Sequence, residues 1–483
     1  MFRIKFFFYY ILLTFIFYSV SGYCWGPTAQ ISIISNAIHL LDKELNTSLK
    51  KLEEDLKNGA GIPDDVLYSL VPTARTDIVR AIETEINLLI AVKPKKIDPY
   101  YAYRLGILGK LTAQATSPLQ NADLTIQTLY NADVEKMIEK VSLRTNPRQR
   151  VNPSVYFSQL SRQISSRDTI FEQEYKSNVG FRGTASTTLP ECVSISLNAV
   201  ADVWYTVLIP NQTIGNVGES ALREYALQGG LFYAKRGNPE EIKLGIQKLS
   251  ALVPFTEDMY IQLGDTLMQT GLSELAVEQY QMAIQLNPNR REIARKIADY
   301  YVDKGNKSRE AKKLEEALDW FKNAVTADPL HPEAERLRLD TERDIKERDA
   351  RLAMTKEALE RADKLQNTAE QEALSGHIAE AIVLLRQALA TYDEVTDEFP
   401  LENQQKGRGI RYVNNRIQEL KGQLLDSAKN FSGKYPDFDL MNTLTKINNE
   451  ISNYLIQEKI EQSFQSEIQS ILSELPSEIT DIK

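Results

Sequence analysis

Residues 257 to 289, EDMYIQLGDTLMQTGLSELAVEQYQMAIQLNPN, constrain the fold of this chain more than any other stretch. Tyr260, Leu263, Gly264 and Leu267 fall on one helical face, and Ala276, Tyr280 and Ala283 on the face of a second helix. The small residues let two antiparallel helices approach closely, the large ones fill the gaps between them, and Pro288 ends the second helix. Such a unit cannot bury its apolar face alone, so it requires neighbours of the same kind.

Neighbours are readable. Ala298, Tyr301, Ala317, Phe321, Ala324 and Pro329 form a second unit, but Ala276 and Ala317 are 41 residues apart, which places an insertion of about two helical turns at KSREAKK. Weaker units lie at 223 to 256 and around GHIAEAIVLLRQALATY at 376 to 392. The pattern resembles the 34-residue tetratricopeptide repeat, which implies an all-α solenoid over residues 211–400. The contact surface that this resemblance implies is the groove formed by the first helices. On that face the family pattern places Ile261, Asp265, Met268 and Gln269, then Arg295, Asp299 and Val302. Beyond 400 the sequence reads as long amphipathic helix through SNYLIQEKIEQSFQSEIQSILSEL, so residues 401–483 are expected to cap the solenoid or pair with another helix.

Charge narrows the partners. Residues after 210 carry 35 Lys+Arg against 46 Asp+Glu, and the whole chain has a net charge of -9, a poor balance for binding nucleic acid. At the other end, Arg3 and Lys5 precede the apolar run FFFYYILLTFIFY, and SVSG follows with small residues. That is the layout of a secretory signal over residues 1–22, and the run is shorter than the roughly 20 residues that span a bilayer. Export to a periplasm or cell envelope is expected, with protein partners there. Membrane contact stays open, integral insertion does not, and the sequence leaves the oligomeric state undetermined.

Residues 23–210 read as a different helical domain, with helical spacing at 28 to 43, 66 to 92, 100 to 116 and 194 to 208. Three of its segments, WGPTAQISIISNAIHLL at 25 to 41, GAGIPDD at 59 to 65 and AYRLGILGKLTAQATSPLQ at 102 to 120, resemble in order the zinc-dependent phospholipase C and single-strand nuclease superfamily. In that family a Trp opens a motif with a His five residues later, and a Pro-Asp supplies a carboxylate. A helix bearing His, Asp four on and His six further on centres a three-zinc cluster.

Carried onto this chain, Trp25 matches the family Trp, Gln30 stands at the first His, and Asp64 matches the carboxylate. Lys110, Gln114 and Gln120 stand at the His, Asp and His of the central helix, and Asn198 and Asp202 at the closing His and acid. Zinc is held by thiolate, imidazole or carboxylate, whereas an ammonium has no lone pair and an amide is a weak neutral donor. His39 is about 180° around a helix from Gln30, and the other two histidines, His331 and His377, fall in the repeats. The substitutions imply a domain that keeps the fold and holds no metal or other cofactor, with Lys110 facing Asp64 or Asp202 as a replacement charge.

The resemblance also places the N-terminal Trp beside the helix of the last ligand pair. Cys24 precedes Trp25 and Cys192 lies six residues before Asn198, so a Cys24–Cys192 disulfide is expected if the signal is cut after Gly22. Arg144, Arg148, Arg150, Arg162, Arg167, Lys176 and Arg182, set against Asp168, Glu172 and Glu174, read as a basic patch or a solvated loop. No hydrolase elbow, nucleotide loop or dinucleotide fingerprint occurs. The expected protein is therefore an exported, non-catalytic scaffold or adaptor. The alternatives are a phosphodiester or phospholipid hydrolase with a rebuilt site, and a structural subunit of an envelope complex.

Overall fold

The computed structural model describes residues 25–45, 49–210, 215 and 217–434, with 446 and 449. The expected signal segment, Cys24 and the tail at 452–475 lie outside them. All regular structure among the described residues is helical. None of these helices is long and apolar enough to cross a membrane. The chain forms two compact units that meet in sequence at Ile297 and Ala298.

In the first unit, α1 is Pro27–Leu45, α2 Glu53–Ala60, α3 Asp64–Leu70, α4 Ile78–Ala91, α5 Pro99–Ala115, α6 Leu124–Met137, α7 Pro153–Lys176 and α8 Thr184–Leu208. Helix α5 is the centre. Asp98 caps it by accepting a hydrogen bond from Tyr101 N at 3.0 Å, Pro99 starts it, and every residue from Leu105 to Gln114 is buried. Gly59 on α2 and Gly106 on α5 allow backbone contact, since a Cβ at Gly106 would lie 2.1 Å from the Leu56 carbonyl oxygen.

The same unit continues through α9 (Glu219–Arg236), α10 (Pro239–Leu252), α11 (Glu257–Gln269), α12 (Ser273–Leu286) and the start of α13 (Arg291–Glu310). The helices on either side of the expected junction at residue 210 thus share one packed body. Tyr100 meets Tyr225 at 4.8 Å and Tyr103 meets Phe232 at 5.0 Å between ring centroids. Beneath them Arg104 forms a buried ion pair with Glu85 at 2.6 Å.

The second unit contains the rest of α13, then α14 (Leu314–Ala327), α15 (Ala334–Leu374), α16 (Ile378–Asp393) and α17 (Pro400–Lys434). The insertion expected at KSREAKK lies at the end of α13, which is 20 residues long against 13 for α11, and in the turn that follows it. One core joins Ala298, Val302, Ala317, Phe321, Ala324 and Leu337. A second joins Ala358, Leu359 and Ala362 of α15 with Ala381, Ile382 and Leu385 of α16 and Val413, Ile417 and Leu420 of α17. Helix α15 serves both cores, and between them its exposed turns are laced by pairs such as Arg338–Glu342 at 2.5 Å and Arg343–Asp340 at 3.2 Å.

Candidate functional site

The close crossing of α2 and α5 puts residues 60–64 against the turn of α5 that carries Lys110. Lys110 Nζ lies 2.8 Å from Asp64 Oδ1 and also donates to the Ile62 carbonyl. Gln114 Nε2 donates to the same Asp64 oxygen at 3.3 Å, and Gln30 Nε2 donates to the Ala60 carbonyl. Past the Pro118 turn, where Leu119 takes a left-handed φ of 62°, Gln120 Nε2 donates back to the Gln114 carbonyl at 2.6 Å. Gln30, Asp64, Lys110, Gln114 and Gln120 therefore form one connected cluster.

Trp25 is fully buried beside Tyr130, and its Nε1 donates to Ser196 Oγ at 2.9 Å. Ser196 also accepts from Thr116 Oγ1 at 2.9 Å, which ties the α5 end to α8. Asn198 and Asp202 face the irregular segment before α7. Asn198 Nδ2 donates to the Arg144 carbonyl at 2.8 Å, and Asp202 Oδ1 pairs with Arg148 Nη1 at 2.9 Å. Tyr156 OH donates to Asp202 Oδ2 at 3.0 Å. Burial raises the Asp202 carboxyl above the usual range, and the Arg148 guanidinium and Tyr156 hydroxyl offset that only in part. Lys110 thus pairs with Asp64, and the charge at Asp202 is answered by Arg148.

This donor set does not fit a zinc cluster. Zinc binds lone pairs, whereas Gln30, Lys110 and Gln114 turn N–H groups toward the oxygens of residues 60–64. His39 is exposed on the far side of α1 from buried Gln30.

The repeat helices carry the second candidate surface. In α11 and α12, Gly264 sits under Tyr280, where a Cβ would lie 2.4 Å from the ring. Ile261, Asp265 and Met268 are half-buried and Gln269 is exposed. Asp265 is not a free group. It accepts from Tyr280 OH at 2.6 Å and pairs with Lys296 Nζ at 2.5 Å. Burial pushes its carboxyl up, but the bonds from Lys296 and Tyr280 outweigh that and hold it below the usual range. On α13, Arg295 and Asp299 are exposed, and Asp299 faces His331 Nε2 at 2.9 Å. Val302 corrects the expected surface. It is 8% exposed and packs in the core, because it follows Ala298 by one helical turn on the buried stripe.

Two buried side chains stand outside the repeat pattern. Arg148, which reads in the sequence as one of a basic patch or solvated loop, has a side chain that is only 2% exposed. His331 caps α15, its Nδ1 accepting from Glu333 N at 3.2 Å and Ala334 N at 3.1 Å. Cys192 is buried and burial pushes its thiol up to about 11.

Residues 257–290 match the tetratricopeptide repeat family. No curated protein and no solved structure matches the chain.

Proposed function

We propose that this protein is an exported, non-catalytic scaffold or adaptor of the cell envelope that captures a protein partner through its tetratricopeptide helices. The front helical domain, on this reading, is a phospholipase C-like body whose metal chemistry has been replaced by internal hydrogen bonds and ion pairs. The tetratricopeptide helix pair at 257–290 supports the reading most, because it leaves Ile261, Met268 and Gln269 incompletely covered on its first helix. The rival reading as a hydrolase has less support, since Lys110, Gln30 and Gln114 offer donors where a metal needs lone pairs.

The test is a cross-linked pull-down from native envelope extract with the full chain and with Met268→Glu and Arg295→Glu. Both positions are at least partly exposed, so the melting temperature should fall by no more than a few degrees. Partner capture should drop severalfold. Equal capture by wild type and both variants would remove the binding surface from these helices.

A further inference from the structure

Helix α8 carries Ser194, Asn198, Asp202 and Thr206 at intervals of four residues, one on each turn. Each accepts a hydrogen bond from the backbone of the irregular segment before α7. Arg144 N donates to Ser194 Oγ at 2.9 Å, Asn146 N to Asn198 Oδ1 at 2.9 Å, Gln149 N to Asp202 Oδ1 at 3.3 Å and Val151 N to Thr206 Oγ1 at 3.0 Å. The match is geometric. Four residues of helix rise about 6 Å, and two residues of extended chain advance about 6.7 Å, so every second amide of an extended segment meets the next turn. The register slips by one residue between Asn146 and Gln149, across Pro147 and Arg148.

At that slip the Arg148 side chain turns inward. Its Nη1 donates to the Asn198 carbonyl at 3.1 Å and pairs with Asp202 Oδ1 at 2.9 Å, while Nη2 donates to Asn198 Oδ1 at 2.5 Å and to the Asn146 carbonyl. Glu44 Oε2 lies 3.7 Å from Nε. One guanidinium is thus surrounded by five oxygens, two of them carboxylate. Such a ring of oxygens suits a cation, and the chain supplies that cation itself.

We propose that residues 144–151 are a built-in strap that occupies the polar face of α8, and that Arg148 is its pin and the resident cation of the Asn198–Asp202 pair. The face reads an extended backbone and one arginine, and its own chain fills it, so neither a phosphodiester nor a metal ion has access there. The strap stands on its own contacts. Only the statement that it takes the place of a metal rests on the phospholipase C-like reading above.

The test compares the full chain with Asp202→Asn and with the double variant Arg148→Met, Asp202→Asn, which leaves no buried charge alone. Hydrogen exchange of the Arg144, Asn146, Gln149 and Val151 amides and trypsin cleavage after Arg144 and Arg150 are the readouts. In wild type these amides should exchange slowly and both sites resist trypsin. In both variants exchange should quicken at least tenfold and cleavage fall first at these sites, while amides of residues 257–290 keep their protection. Fast exchange in wild type, or unchanged protection in both variants, overturns the proposal. Partner capture by the repeats is a separate readout, so its loss would sink the scaffold reading and leave the strap standing.

Discussion

Lys110 Nζ sits 2.8 Å from Asp64 Oδ1 with only 6% and 10% of the two side chains exposed. The other Asp64 oxygen, Oδ2, is buried with no hydrogen-bond partner among the described residues, so the carboxylate depends on Lys110 and Gln114. Removing one member of such a pair leaves a buried charge alone, at a cost of about 3 to 5 kcal/mol, whereas removing both costs far less. Lys110→Met should therefore destabilise the first unit strongly, and Lys110→Met with Asp64→Asn should restore most of the loss. Urea denaturation of the three proteins checks this. Equal stability of Lys110→Met and wild type would mean that the pair does not hold the 60–64 turn. A chelator should shift none of the three midpoints.

The helix pair at 257–290 is legible in the sequence because its spacing is the packing itself. Gly264 must be small where the Tyr280 ring crosses it, and no other helix is needed to see that. Lys110–Asp64 is legible only as one of two pairings, because Asp64 and Asp202 are both expected near Lys110 and the sequence does not say which of them faces it. Val302 stands 34 residues after half-buried Met268, yet it is covered, because it joins a core with Phe321 and Leu337 that the repeat pattern alone does not carry. The place of Arg148 depends on an irregular segment that has no periodicity to read. A signal existed nonetheless, in the four-residue spacing of Ser194, Asn198, Asp202 and Thr206 along an otherwise apolar helix.

Asp265 gives the repeat a pH dependence of known sign. Its carboxyl lies below its ordinary value in the folded chain, because the Lys296 and Tyr280 bonds overcome the opposing effect of burial. The folded state then binds the proton less well than the unfolded state. The stabilisation is fully present above the unfolded value of about 4, and is lost as pH falls through the lower folded value. Asp265→Asn should flatten the acid limb of the stability curve and change little at pH 7 beyond loss of the ion pair. Denaturation midpoints from pH 7 downward measure it, and parallel curves for variant and wild type would refute the assignment.

His331 stands two residues before Glu333, the N-cap of α15, whose own side chain makes no capping bond. Because Nδ1 accepts from Glu333 N and Ala334 N, the ring proton is on Nε2, which donates to Asp299 Oδ1 at 2.9 Å. His331→Ala removes the acceptor for two amides, and lost caps cost about 0.5 to 2 kcal/mol. His331→Asn retains an oxygen acceptor and should recover part of that. Exchange of the Glu333 and Ala334 amides should quicken in His331→Ala ahead of global unfolding. Unchanged exchange would show that the cap lies elsewhere.

Trp25 Nε1 donates to Ser196 Oγ at 2.9 Å, and Cys192 precedes Ser196 by one turn of α8. Cys24 is outside the described residues and directly precedes Trp25 in the sequence. Cys192 is buried at 4% exposure, and burial pushes its thiol up to about 11, so as a free thiol it would be slow to form thiolate and slow to alkylate. In an oxidising compartment, we expect cleavage of the signal after Gly22 to keep Cys24 in the mature chain, and Cys24 and Cys192 to form a disulfide. Closing a loop of that length contributes about 2 to 5 kcal/mol and would fasten the N-terminus to α8 without metal. Intact-mass measurement after alkylation of the unfolded protein, with and without prior reduction, reads the bridge directly: two alkyl groups should add only after reduction. A mature chain that starts at Trp25, or two thiols alkylated without reduction, rules the bridge out.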